Sequence, residues 1–101
     1  MLIHIVAWKY RADVPDDVRE KHRAMLKALR DVVPGIEDFA VGGDFLKAHN
    51  SYDTGLFARF EDRTALEAYT VHPQHVEVVI YGRTIAETNG GAGRINDQLL
   101  S

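Results

Sequence analysis

Residues 2–9, LIHIVAWK, predict a β-strand that is apolar on both of its faces. Side chains of a strand point alternately to opposite sides, and β-branched and aromatic residues favour strands. One face carries Leu2, His4, Val6 and Trp8, and the other carries Ile3, Ile5 and Ala7. A strand of this kind has to be covered on both sides. The fold therefore has to supply a second layer on each face of the sheet.

Length and composition indicate the class of protein. A chain of 101 residues, 46% apolar and 27% charged, is typical of one folded globular domain. The 12 Lys and Arg are spread among 15 acids, which gives no basic surface for DNA or RNA, and no apolar stretch is long enough to cross a membrane. The absence of cysteine excludes disulfides and thiolate chemistry. The N-terminus lacks the features of a secretion signal, so we expect a soluble cytoplasmic protein.

After the first strand, the chain has the pattern of an amphipathic helix. Pro15, Asp16 and Asp17 predict the helix start, because proline fits the first turn and acids favour the positive end of the helix dipole. Pro34 and Gly35 predict a turn that ends the helix. The apolar face in between contains Val18, His22, Met25, Leu26, Leu29 and Val32.

Two more strands and a divided second helix follow. Residues 36–42 and 52–60 predict strands whose polar connection favours a hairpin. Asp62 is a predicted N-cap, and Pro73 starts a further helical segment that runs to about residue 87. Residues 94–100 predict a weak final strand. The order predicts an α+β, ferredoxin-like βαββαβ domain with a four-stranded antiparallel sheet.

This topology puts both helices on one face of the sheet and leaves the other face without cover. Ile3, Ile5, Ala7, Phe57 and residues of the second strand would then form an exposed apolar surface, which monomers rarely have. A second copy packed sheet against sheet is the simplest cover. We therefore predict a homodimer through the sheet face.

The most distinctive polar segment is AYTVHPQHVEVV at residues 68–79, in which His72 and His75 lie three positions apart. On a continuous helix, this spacing puts both imidazoles within reach of one ion. A third ligand would have to come from elsewhere in the fold, and the candidates are His4, Asp44 and Asp53. The alternative, which we favour, is that one histidine caps the helix that begins at Pro73. No metal or other cofactor is predicted.

His75 is a better candidate for acid–base chemistry. It is the first residue of a helical stripe that continues with Val79, Gly82 and Ala86, whose small size predicts a hollow beneath them. A neutral imidazole at the mouth of an apolar pocket exchanges protons near neutral pH. Tyr69 is close enough along the chain to supply a hydroxyl to the same space.

Three other ring side chains remain open to more than one interpretation. His4 lies between apolar neighbours and either lines a pocket or hydrogen-bonds to backbone. Trp8 is either a core anchor, which we favour, or a flat wall for an aromatic ligand. His22 is predicted to be a partly buried helix residue. Phosphate-binding loops and nucleophile elbows are absent from the sequence.

Several motifs resemble the stress-responsive α/β-barrel domain family, also called the Dabb family. They are I-H-I-V at 3–6, V-P-G at 33–35, G at 42, Y-D at 52–53, F-E-D at 60–62 and L-E-A-Y-x-x-H-P-x-H-V at 66–76. The resemblance runs from the first strand to about residue 87. It implies a small ferredoxin-like protein that forms a dimeric α+β barrel.

The resemblance carries functional residues over position by position. In a plant polyketide cyclase of this family, a histidine and a tyrosine of the last motif promote an aldol ring closure, and they correspond to His75 and Tyr69. A pocket histidine of the first strand corresponds to His4. This chain departs from the cyclase in two ways. The small residue Gly82 lies below the histidine instead of a bulky aromatic pocket wall, and residues 89–93 form a longer, glycine-rich insertion. The polyketide substrate is therefore not implied.

Two functions of different class remain. The first is a homodimeric module that binds a small apolar or aromatic ligand between sheet and helices, without turnover. Its predicted ligand-binding residues are His4, Val6, Trp8, Leu56, His72 and Val79. The second is a cofactor-free enzyme for an aldol cyclisation, lyase or isomerase step, with His75 as general base and Tyr69 as the oxyanion or orienting group. Haem or oxygen chemistry, known elsewhere among dimeric α+β barrels, is a further alternative.

Overall fold

The computed structural model describes residues 2–43, 52–87 and 92–98, the last of these for the backbone alone. The elements are β1 (Leu2–Trp8), α1 (Asp16–Val32), β2 (Ile36–Gly43), β3 (Thr54–Phe60), α2 (Arg63–Val71), α3 (Pro73–Ile85) and β4 (Ala92–Gln98). The candidate metal ligand Asp44, most of the glycine-rich insertion and the last two residues of the predicted final strand lie outside the described residues. No helix in the described ranges is long and apolar enough to cross a membrane.

The strands form one antiparallel sheet in the order β2-β3-β1-β4. β2 and β3 pair with each other as the predicted hairpin, and β1 lies between β3 and β4. The register of β2 shifts between Ile36 and Asp38, which makes Glu37 the extra residue of a bulge. Because of this bulge, Ile36 and Phe39 both pack on the core although they are three positions apart on a strand.

The predicted range of the first helix is confirmed. Asp16 and Asp17 occupy the first turn of α1, and Arg30 occupies the last, so that both ends have the charge that the helix dipole favours. The turn that follows requires glycine at position 35 for two reasons. Gly35 has a φ of 86°, and a Cβ placed there would lie 2.9 Å from the Cβ of Ala65 on α2.

The second helical region is divided at His72 and Pro73, where the sequence predicts a joint. The Asp62 carboxylate accepts a hydrogen bond from the Ala65 amide at 2.9 Å and caps α2, as predicted. The His72 Nδ1 accepts one from the Gln74 amide at 3.2 Å and caps α3. The interpretation of one histidine as a helix cap is therefore confirmed for His72.

Backbone hydrogen bonds attach the C-terminal end of α3 to the segment that follows β1. Tyr10 and Ala86 form an isolated antiparallel bridge. On either side of it, the Arg11 amide donates to the Ile85 carbonyl at 3.0 Å and the Glu87 amide donates to the Lys9 carbonyl at 2.9 Å. These bonds hold the end of the helix against the end of the central strand.

The inner face of the sheet packs against the helices and forms the core. Burial of these apolar side chains is the main contribution to folding. The largest group of buried residues contains Leu2, Val6, Leu26, Leu29, Val33, Phe39, Leu56, Ala58, Phe60, Tyr69 and Val78. A smaller group, at the Trp8 end of the sheet, contains Tyr10, Val14 and Ile85.

We call the other side of the sheet the open face. Its side chains on β1, β2 and β3 are Ile3, Ile5, Ala7, Asp38, Ala40, Phe57 and Arg59. Ile5 is 39% exposed, and Ile3, Ala7 and Phe57 are half-buried. The uncovered apolar surface predicted from the alternation in β1 is thus present in the single chain.

Candidate functional site

Four rings from both layers of the fold meet at one end of the inner face, and we call them the His75 cluster: His4, Phe60, Tyr69 and His75. The Tyr69 and His75 ring centroids are 4.3 Å apart. Tyr69 also lies 5.8 Å from His4 and 5.1 Å from Phe60. The structure therefore brings together the three residues that the resemblance carries over, His4, Tyr69 and His75.

Tyr69 is the centre of the His75 cluster and is almost fully enclosed, with 2% of its surface exposed. Burial makes the phenolate unfavourable and raises the pKa of Tyr69 to about 12. The hydroxyl thus stays protonated at neutral pH and has a hydrogen to donate. It is the kind of group that orients a carbonyl oxygen or stabilises an oxyanion.

His75 lies in the first turns of α3, half-buried at the outer edge of the cluster. Its Nδ1 is 3.0 Å from the backbone carbonyl of Thr70. A carbonyl oxygen only accepts hydrogen bonds, so the hydrogen of a neutral imidazole resides on Nδ1 and the lone pair on Nε2. The end of α2 therefore selects the tautomer in which Nε2 can accept a proton.

The other predicted site residues are placed in different surroundings. His4 is 7% exposed, on the inner face of β1. Val6 and Leu56 lie opposite each other in the sheet and are both core residues. Trp8 and Val79 are half-buried, and Trp8 packs against the core, as favoured above. Their role in binding a ligand stays a prediction.

His72 and His75 are the two residues whose spacing in the sequence would suit a metal ion. Within the described ranges, no three side chains of His, Cys, Asp or Glu are close enough to hold an ion. Asp53, one of the candidate third ligands, accepts a hydrogen bond from the Tyr10 amide at 2.8 Å and pairs with Arg19 at 3.4 Å.

The small-residue stripe of α3 does not leave a hollow at Gly82. A Cβ placed on this glycine would lie 3.1 Å from His22 Nε2 and 3.6 Å from Trp8 Nε1. The two ring systems fill the space under the helix, with their centroids 5.1 Å apart and their planes nearly perpendicular. Any space for a ligand under α3 is therefore closed at this end.

His22 belongs to a second polar group that the sequence analysis missed, and we call it the His22 cluster: Tyr10, His22, Arg23 and Thr54. The Tyr10 hydroxyl lies 2.6 Å from His22 Nδ1 and donates to Thr54 Oγ1 at 2.8 Å. Arg23 Nε donates to the same Thr54 oxygen at 2.8 Å. The prediction of a partly buried His22 is wrong, since the residue is 0% exposed.

The hydrogen bonds of the His22 cluster indicate which nitrogen of the His22 imidazole carries the hydrogen. The Tyr10 hydroxyl has one hydrogen, and it is used in the bond to Thr54. The bond between Tyr10 and His22 therefore has the imidazole as its donor, through the hydrogen on Nδ1. The Nε2 lone pair then points to Gly82, and Nε2 is buried without a hydrogen-bond partner among the described residues. Burial, with a smaller contribution from the Arg23 guanidinium, lowers the pKa of His22 from 6.5 to about 4. His22 is therefore neutral at neutral pH.

An open groove of about 350 Å³ lies elsewhere, between α1 and α3. Ala24, Ala28 and Val78 form part of its apolar lining, and Lys21 and Glu77 contribute charged groups. Its lining includes neither His75 nor Tyr69. It is thus separate from the His75 cluster.

Comparison with known proteins places these features in context. The sequence model of the stress-responsive A/B barrel domain family, Dabb, matches residues 2–89. No curated protein sequence matches the chain.

Solved structures share the fold of the chain. A dimeric ferredoxin-like protein of unknown function from Thermobifida fusca is similar with a TM-score of 0.84 and 21% identity, over 97% of this chain and 90% of that one. Another from Jannaschia has a TM-score of 0.81 and 26% identity, over 97% and 98%. A hydroxynitrile lyase from Passiflora edulis has a TM-score of 0.80 and 14% identity, over 95% and 90%. These likenesses show that the fold is ferredoxin-like.

Proposed function

The chain belongs to the stress-responsive A/B barrel domain family, and from this premise we propose that it acts as a homodimer that binds a small apolar or aromatic ligand. The ligand would lie between sheet and helices against the His75 cluster. The rings would contact an apolar body, and the Tyr69 hydroxyl would donate to one oxygen of the ligand.

Two observations support the homodimer. The open face is apolar and exposed in the single chain, and the similar proteins from Thermobifida fusca and Jannaschia are described as dimeric. An isologous contact would cover the same patch on both copies. Sedimentation equilibrium at micromolar concentration is expected to give twice the mass of the chain, and a monomer would contradict the proposal.

The observation that carries the ligand proposal is the continuous contact of rings from the buried sheet to the surface. His4 is on β1, Phe60 at the end of β3, Tyr69 near the end of α2 and His75 at the start of α3, so the cluster joins four separate elements. It combines a protonated hydroxyl and imidazole rings with the apolar ring of Phe60. Ligand sites of proteins typically combine an apolar lining with a few polar groups of this kind.

The test is a binding screen with aromatic ketones and β-keto acids, followed by NMR titration of each hit. Tyr69→Phe removes only the hydroxyl and is expected to weaken binding about tenfold, the equivalent of one hydrogen bond. Tyr52→Phe is the matched control because it removes the same hydroxyl from an exposed tyrosine outside the His75 cluster. Equal affinity of the wild type and Tyr69→Phe would place the ligand elsewhere.

A second candidate, a cofactor-free enzyme, is favoured by the tautomer of His75. The Nε2 lone pair would take a proton from the carbon beside a substrate carbonyl, while the electrons of that bond move into an enolate. Tyr69 would donate to the enolate oxygen, and the Thr70 carbonyl would stay bonded to the imidazolium through Nδ1. The proton returns to the product in a later step, as an aldol, lyase or isomerase reaction requires.

Exchange of ketone α-hydrogens for deuterium separates the two candidates. Wild-type protein in D₂O is expected to catalyse the exchange, which proton NMR follows directly, and His75→Ala is expected to slow it about a hundredfold or more. A ligand that binds in the NMR titration without any exchange would favour the passive module. Exchange that persists in His75→Ala would remove His75 as the base.

A further inference from the structure

Arg59 is a cation in the middle of the largely apolar open face. It lies on β3, opposite Ile3 of β1 on one side and Asp38 of β2 on the other. Its side chain is half-buried, and Nε is buried without a hydrogen-bond partner among the described residues. No described residue forms an ion pair with it.

Burying the Arg59 charge costs free energy when a second copy covers the open face. A guanidinium that loses its water is destabilising unless a carboxylate and further hydrogen bonds replace the solvent. The apolar residues around it, Ile3 and Phe57, offer no acceptor in their side chains. Arg59 therefore needs an acidic partner inside the contact.

Asp38 is the anion on the same face. Among the open-face side chains named above, Arg59 is the cation, Asp38 is the anion and the rest are apolar, and the bulge residue Glu37 is a further acid next to Asp38. The Asp38 Oδ1 accepts from the Phe39 amide at 3.0 Å, next to the β2 bulge, and the carboxylate does not pair with Arg59 in its own chain. The charges of the open face are thus complementary to a second copy of the same face.

We propose that Arg59 of each copy binds the Asp38 carboxylate of the other copy, and that these two symmetric ion pairs determine how the two sheets align. The inference rests on the proposed homodimer and specifies its chemistry. Apolar contact alone allows several alignments of two flat faces, whereas a desolvated charge pair strongly disfavours those that leave it unmatched.

Charge reversal in separate copies tests the pairing between chains. Arg59→Glu alone and Asp38→Lys alone each place like charges in the contact, so the dimer dissociation constant is expected to rise about a hundredfold. In an equimolar mixture of the two variants, the introduced carboxylate of one chain would face the introduced ammonium of the other, and the retained Arg59 would face the retained Asp38. Native mass spectrometry is expected to show a heterodimer whose dissociation constant is within about tenfold of the wild type.

The mixture distinguishes pairing between chains from pairing within one chain, because mixing leaves the charges of each chain unchanged. Asp38→Asn keeps an acceptor for the Phe39 amide and controls for damage to the bulge. Failure of the mixture to form heterodimers, or dimerisation of either variant as tight as the wild type, would overturn the ion pair while leaving the homodimer intact. A monomeric wild type would instead overturn the homodimer itself, and the ion pair with it.

Discussion

The His22 cluster and the His75 cluster each place a histidine beside a tyrosine, but they differ in what their polar atoms do. In the His22 cluster, the hydroxyls of Tyr10 and Thr54 and the Arg23 Nε bond to one another, and the glycine of α3 closes the space around the imidazole. In the His75 cluster, the imidazole bonds to a carbonyl of the preceding helix and reaches the surface.

This difference shows that a histidine beside a tyrosine does not by itself indicate a ligand site. The His22 cluster has its hydrogen bonds inside the fold and fastens α1 to β3, so its contribution is to stability. In the His75 cluster only the His75 imidazole reaches the surface, and Tyr69 is buried beside it, so the proposed role of this cluster is in binding. Three perturbations separate the two roles.

Removal of each imidazole should have the largest and most unequal effect. His22→Ala is expected to lower the free energy of unfolding by about 3 kcal/mol, because it leaves a cavity among Trp8, Tyr10 and Tyr81 and removes a buried hydrogen bond. His75→Ala should cost less than about 1 kcal/mol, since the ring is half-buried. Urea denaturation at fixed protein concentration measures both, and equal losses would contradict the division of roles.

Acid should act through His22. Its pKa is about 4 in the fold and 6.5 for the ordinary group, so between these values the unfolded chain binds more protons than the folded one. The free energy of unfolding therefore falls as the pH falls through this range, by up to about 3 kcal/mol once both states are protonated.

The control for the acid effect is His22→Phe, which keeps a ring and removes the titration. Wild type should lose more stability than this variant between pH 7 and pH 4.5, with carboxylates contributing equally to both. Parallel stability curves for the two proteins would show that the imidazole is not the responsive group.

Gly82→Ala should have the smallest effect. The added methyl would lie 3.1 Å from His22 Nε2, an overpacking cost of about 1–3 kcal/mol that the higher helix propensity of alanine offsets by about 1 kcal/mol. We expect a net loss of about 1 kcal/mol in thermal or urea unfolding. In a His22→Ala background, Gly82→Ala should raise the free energy of unfolding. A loss of stability of equal size there would show that the cost of the added methyl does not come from contact with the imidazole.

The elements of the fold were largely predictable because their signals are local. Alternation in β1, the proline before α1 with the acids in its first turn, and Asp62 before α2 each act within a few residues, and each was interpreted correctly. The bulge at Glu37 was not predicted, since it depends on which residues of β2 and β3 pair across the hairpin.

The candidate site divides in the same way. Tyr69 and His75 are six positions apart, so the joint at Pro73 makes their contact foreseeable. The His22 cluster joins the segment after β1 to α1 and β3, and no spacing within one element shows that Tyr10 meets Thr54, 44 positions later. The available signal was a histidine in the middle of the apolar face of α1, which is costly unless its polar atoms find partners.

The attachment of α3 to the segment after β1 bears on how the molecule moves. Bonds at Ile85 and Glu87 hold the C-terminal end of the helix to the sheet, whereas its first turn is held by the cap at His72 and the bond from His75 to Thr70, both within the helical region itself. We therefore expect the C-terminal end of α3 to be held more tightly to the sheet than its first turn. The amide of Glu87 is then expected to exchange with solvent more slowly than that of Gln74.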